Sequence, residues 1–110
     1  MLIRYNFDHP ELINCRVLQI GVFKILVDRS DYFRVKNYIW EIKPYHHNAY
    51  AVRKIPRGNS YYFLPIHRQI THCPKNRIVH HINRNGLDNR RCNLKIMTHE
   101  EHFQIHRFCS

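Results

Sequence analysis

Two histidines stand side by side in the stretch "IVHHIN" at residues 78–83, and two more, His102 and His106, stand four residues apart near the C-terminus. Imidazole changes charge close to neutral pH, so histidines suit proton transfer and metal ligation. On a helix, residues four apart lie one turn apart on one face, and His102 and His106 would offer two nitrogens to a single ion. On a strand, successive side chains point to opposite faces, so only one of His80 and His81 can turn toward that helix. With His80 turned to the ion, His80, His102 and His106 supply three nitrogen ligands and leave positions open for water and a phosphate oxygen. His81 then remains as a base. Asn93 is the fifth residue of this constellation, twelve residues after His81 and nine before His102.

The elements that must position these residues can be read from the pattern around them. "RIVHHI" reads as a strand, "NRNGLDNRR" as a loop rich in turn formers, and "NLKIM" as a second strand. Thr98 followed by Glu101 forms a capping box that starts a helix over 99–108. Asn85-Gly86 should serve the turn through positive φ, and Asp88 and Asn89 should brace the loop by bonds to its backbone. Upstream, "VLQIGVFKILVD" predicts two short strands turned at Gly21. "RSDYFRVKNYIW" predicts a short helix capped by Ser30, with Tyr32, Phe33, Val35 and Ile39 on its apolar face, and Trp40 anchoring the core. "AYAVRKI" and "SYYFLPI" flank the turn "PRGN" and predict a hairpin carrying Arg53, Lys54 and Arg57, a basic ribbon that suits a DNA groove or a solvated sheet edge equally. The fold class expected is α+β: a small N-terminal antiparallel sheet with a short helix over 1–73, then a strand–strand–helix unit over 74–110, together one compact domain.

Composition narrows the partners. Eighteen Lys and Arg against eight Asp and Glu give a net charge of +10, spread along the chain, which favours a polyanion such as nucleic acid. The four cysteines, Cys15, Cys73, Cys92 and Cys109, form no C-x-x-C pair and read as reduced thiols. No run of eighteen apolar residues occurs, and "MLIRYNFDHPEL" lacks an apolar signal core, so no membrane association is expected.

The segment "VHHINRNGLDNRRCNLKIMTHEEHFQIH" resembles the HNH endonucleases of the ββα-metal superfamily, and "N-x-L-D-N-R-x-x-N-L" is similar to phage and intron-homing members. The earlier "ILVDRSDYFRVKNYIW…AYAVRK…LPIHR" is more loosely similar to free-standing phage HNH proteins. The resemblance implies a C-terminal ββα-metal unit in which His81 is the general base and His80 a metal ligand. Asn93 orients the base, and helix histidines complete the site. It also implies a cytoplasmic setting in a bacterial or phage-infected cell. Homing-type members often carry Asp where this chain has His80 and Asn where it has His102; the all-histidine set is closer to that of the colicin nucleases. Nitrogen ligands favour transition metals, so the expected cofactor is one divalent ion among Mg, Mn, Ni and Zn.

On this reading the chain hydrolyses phosphodiester bonds in DNA. His81 takes the proton of the attacking water, and Asn93 accepts a hydrogen bond from its other ring nitrogen. Arg84, Arg90 and Arg91 hold flanking phosphates, and His67 and Arg68 brace the unit or touch DNA. A monomer would nick one strand, and a homodimer could cut both. Two other readings stand beside it: a non-cleaving DNA- or RNA-binding module around a structural zinc, and an RNA-directed protein.

Overall fold

The computed structural model describes residues 14–108, with side chains through Ile105. His9, Cys109 and the side chain of His106 therefore lie outside the described residues. The architecture is mixed α+β, with three small sheets and three short helices among the described residues.

Strands β1 (Cys15–Ile20) and β2 (Phe23–Asp28) form an antiparallel hairpin whose register runs from Cys15 opposite Asp28 to Ile20 opposite Phe23. Gly21 turns it with φ +58°, a backbone state that glycine adopts without strain. Helix α1 spans Arg29–Val35. Asp28, not Ser30, stands at its N-cap, and Ser30 lies inside the first turn. The expected apolar face is also narrower: Val35 is buried, whereas Phe33 and Ile39 are 56% and 88% exposed. The last carbonyl of the helix is satisfied from beyond its end. The Trp40 indole Nε1 donates to Val35 O at 2.7 Å, so the chain leaves the helix in order to bury that ring.

A three-stranded antiparallel sheet follows, made of β3 (Glu41–Tyr45), β4 (Asn48–Arg57) and β5 (Ser60–Pro65). Sequence reading found β4 and β5 but neither β3 nor the one-and-a-half-turn helix α2 (Ile66–Thr71). Beyond them lie β6 (Ile78–His81), β7 (Asp88–Asn89), a 3-10 turn at Arg91–Asn93, β8 (Leu94–Met97) and α3 (His99–Phe108). β6 and β8 pair antiparallel, with His81 opposite Leu94. The capping box of α3 is present in both directions: Glu101 N donates to Thr98 Oγ1 at 3.0 Å and Thr98 N to Glu101 Oε1 at 3.1 Å.

The core gathers Leu18, Ile25, Val27, Val35, Trp40, Ala51, Ile66 and Ile70, with Leu87 and Leu94 packed against it. It therefore draws on residues from both sides of position 74. Two further links cross that point. The short β7 pairs in parallel with β2, Leu26 opposite Asp88 and Val27 opposite Asn89. Arg91 places its guanidinium on the carboxylate of Asp31 through two bonds of 2.9 Å and reaches Ile70 O at 3.2 Å, while its backbone N–H donates to Asp28. Asp31 is 2% exposed, so Arg91 neutralises a carboxylate that water does not reach.

Arg91→Ala would leave that buried carboxylate uncompensated. The expected loss is about 3 kcal/mol of folding stability, read from the urea midpoint, and Asp31→Asn/Arg91→Ala together should lose less than Arg91→Ala alone.

Candidate active site

β6 separates its two histidines as alternation requires. Val79 and His81 are buried while Ile78 and His80 are half-buried, so the imidazoles lie on opposite faces of the strand. His80 faces α3, where its ring centroid lies 5.6 Å from that of His102 in an edge-to-face arrangement. Two imidazoles sharing one ion at Zn–N distances of about 2.0–2.1 Å need centroids about 5 Å apart for tetrahedral angles. The pair fits a divalent ion in donor type and spacing. Among the described residues no set of three His, Cys, Asp or Glu side chains gathers to hold an ion. His106 lies one turn further along α3, its side chain outside the description.

His81 is 6% exposed and looks the other way, into the body of the protein. Its Nε2 lies 2.9 Å from Asn89 Oδ1. Asn89 is itself fully buried, and its Nδ2 donates to Gly86 O at 3.3 Å, which fixes which end of the amide meets the ring. The amide oxygen only accepts, so Nε2 carries the proton and Nδ1 is the basic atom. Asn93, expected in that place, is not the partner. Its Oδ1 accepts from Asn83 N, and its Nδ2 donates to Asn83 Oδ1 and Asp88 O, all at 2.9 Å. Asn93 thus ties the two ends of the loop together, and the loop in turn presents Asn89.

The loop is closed by amides throughout. Asn83 Nδ2 donates to Asp88 Oδ2 at 2.8 Å, Leu87 N donates to Asn85 Oδ1 at 3.0 Å, and Ile82 N to Asn93 O at 2.8 Å. From the start of β4, Asn48 reaches across to donate to Arg84 O and accept from Gly86 N, both at 2.9 Å. Arg84, with φ 62°, takes the left-handed position in the turn, in place of the expected Asn85-Gly86 pair. Gly86 serves another need. A Cβ there would lie 2.3 Å from Ala49 O and 2.7 Å from the Tyr50 ring, so only a glycine lets the loop close onto β4.

Two further residues pack on His81: Tyr50, missed by sequence reading, and His67, expected to brace the unit or touch DNA. Tyr50 and His67 set their rings 5.7 Å and 4.8 Å from His81, the latter edge to face. Burial pushes His67 down to about 3, helped by repulsion from His81 and Arg68, and its buried Nδ1 has no protein partner. Burial also lowers His81, while the bond to Asn89 and the charge of Asp88 work against that fall. Asp88 is pushed up by burial, but bonds from Arg90 and Asn83 outweigh this and hold it below the usual carboxylate range.

The basic residues expected at DNA divide sharply. Arg53 donates to Gln69 Oε1 at 2.6 Å and stacks 3.9 Å above Tyr38. Arg68 binds the carbonyls of Cys73, Arg77 and Pro74, Arg90 grips Asp88 at 2.8–2.9 Å, and Arg91 holds Asp31. These four guanidiniums are engaged inside the fold. Lys54, Arg57 and Arg84 are exposed. Cys15, Cys73 and Cys92 form no disulfide among the described residues. Among the described residues no helix is long and apolar enough to cross a membrane.

Residues 72–104 match the model of a protein family described as HNH endonuclease. None of the curated proteins and none of the solved structures matches the chain. The matched segment contains His80, His81, Asn89, Asn93 and His102 and assigns this part of the chain to the HNH endonuclease family, as the sequence resemblance implied. An HNH domain implies a nuclease acting on nucleic acid with the help of a metal ion.

Because the unfolded chain protonates histidines below about 6.5 and the folded chain keeps His67 neutral, acid favours unfolding. From His67 alone, stability should fall by roughly 1.5 kcal/mol between pH 6.5 and pH 5, measured by urea unfolding at both pH values. His67→Phe, which cannot titrate, should flatten that slope.

Proposed function

We propose that this chain is a metal-dependent endonuclease that hydrolyses phosphodiester bonds in DNA through a ββα-metal unit, with His81 as general base. The observation that supports it most directly is the pairing of His81 Nε2 with the buried amide of Asn89, which leaves Nδ1 as a basic atom in a fixed ring. Nδ1 takes a proton from water as the water oxygen bonds to phosphorus and the bond to the 3′ oxygen breaks. Once both ring nitrogens carry protons, Asn89 Oδ1 still accepts from Nε2, so the imidazolium keeps its partner.

His80 and His102, with His106 as the expected third ligand, would hold the ion on the opposite face of β6. When bound, a divalent ion supplies Lewis acidity at the scissile phosphate and the departing oxygen. Asn93 acts at one remove, by closing the loop that presents Asn89. Lys54, Arg57 and Arg84 are proposed to meet flanking phosphates, while Arg53, Arg68, Arg90 and Arg91 hold the protein together.

Conversion of supercoiled plasmid to nicked or linear DNA, with Mg²⁺, Mn²⁺, Ni²⁺ or Zn²⁺, tests the reading. His81→Ala should cut roughly 10²–10⁴ times more slowly while remaining folded. Asn89→Leu should lose about 10- to 100-fold, with melting temperature recorded to separate misfolding from misorientation. A parent protein that binds DNA but cuts it with none of these ions would instead be the non-cleaving module.

A further inference from the structure

The chain contains one Asn-Gly pair, Asn85-Gly86, and it lies in the loop that presents Asn89 to His81. Asparagine is chemically labile, and most so before glycine, whose missing Cβ lets its amide nitrogen approach the preceding side chain. The nitrogen of Gly86 bonds to Cγ of Asn85, ammonia leaves, and a five-membered succinimide forms. Water then opens that ring at either carbonyl and gives aspartate or isoaspartate. Water is the only co-reactant. The reaction asks two things of the backbone: a proton must leave Gly86 N, and the two residues must turn until that nitrogen faces Cγ.

The closed loop opposes both. Gly86 N donates to Asn48 Oδ1 at 2.9 Å, and Asn48 Nδ2 donates to Arg84 O at 2.9 Å, so one amide from β4 holds the chain on each side of Asn85. Asn85 Oδ1 accepts from Leu87 N at 3.0 Å, which fixes the side-chain carbonyl. Gly86 is buried, and it sits so close to Ala49 O and the Tyr50 ring that its amide plane has no room to swing. Asn85 itself is exposed, so water for the second step is at hand. We propose that Asn85 is a latent deamidation site held shut by Asn48, and that release of the loop from β4 lets it convert to aspartate or isoaspartate. Isoaspartate adds one carbon to the main chain between residues 85 and 86, in a loop whose closure requires Gly86 against β4. Opening of this loop is therefore recorded covalently, beside the residue pair at the centre of the candidate site.

The test is peptide mapping by mass spectrometry, which needs no cleavage activity, on the full chain kept in warm, mildly alkaline buffer. The rate at Asn85 is divided by the rate at Asn59, which precedes Ser60 in the exposed turn between β4 and β5 and so reports general change in the protein. That ratio should be at least about tenfold lower in the folded parent than in the same chain dissolved in urea. Asn48→Ala should raise it about tenfold above the folded parent, the share of one or two hydrogen bonds in keeping the loop closed. Asn48→Asp keeps an acceptor for Gly86 N and should stay near the parent, with amide hydrogen exchange at Gly86 slow in the parent and Asn48→Asp and fast in Asn48→Ala. A parent ratio equal to that in urea would overturn the proposal without any variant. So would a ratio in Asn48→Ala no higher than in the parent.

Discussion

One contact fixes the ring at the centre of the candidate site, the 2.9 Å bond between Asn89 Oδ1 and His81 Nε2. Both residues are buried, and an unpaired polar atom in such a place would cost on the order of 1–3 kcal/mol. The surrounding structure supports this pairing from several sides. Asn93 draws the loop ends together, Asn48 fastens the loop to β4, Gly86 lets it approach without collision, and β7 pins it to β2. His81 is thus tied to the larger sheet and the core, although the strand that bears it is four residues long.

The same economy explains the arginines. A chain with net charge +10 invites the view that its arginines meet phosphate. Four of those expected there instead spend their donors on carbonyls, an amide and two carboxylates within the protein. A planar guanidinium with five donors can satisfy several acceptors at once, which suits a small domain that must join short elements with little core. Lysine, a flexible point charge, is left to face solvent.

Periodicity made β1, β2, β4, β5, β6, β8 and α3 legible, and the capping box marked the start of α3 to the residue. β3, α2 and β7 were not legible for physical reasons. β3 contains Pro44 and few β-branched residues, α2 is only six residues long, and β7 is two residues held by partners distant in sequence. The histidines of the site were readable as types at a spacing, and so was their placement on opposite faces of a strand. Asn89 was read as a loop brace and Asn93 as the partner of His81; the distinction lies in which amide the folded loop delivers to His81. Tyr50 was hidden for the same reason, and His67, read as a brace or a DNA contact, was not placed at His81, since both approaches depend on the packing of α2 and β4 around that ring.

That His81 is oriented by an amide has a consequence for its charge. A carboxylate bonded to His81 would orient the ring equally well, but it would also hold the proton on it and favour the charged form at neutral pH. An amide orients without that bias. The nearest carboxylate, Asp88, does act on His81 in the direction of retaining a proton, yet its oxygens are gripped by Arg90 at 2.8 and 2.9 Å and by Asn83 at 2.8 Å. Much of its field is therefore met within the loop before it reaches the ring. Burial then prevails and lowers His81 from the ordinary histidine range, which suits the base role proposed for it. Neutral amides next to the ring and a cancelled charge one residue further out are two parts of one arrangement, which fixes direction and protonation state separately.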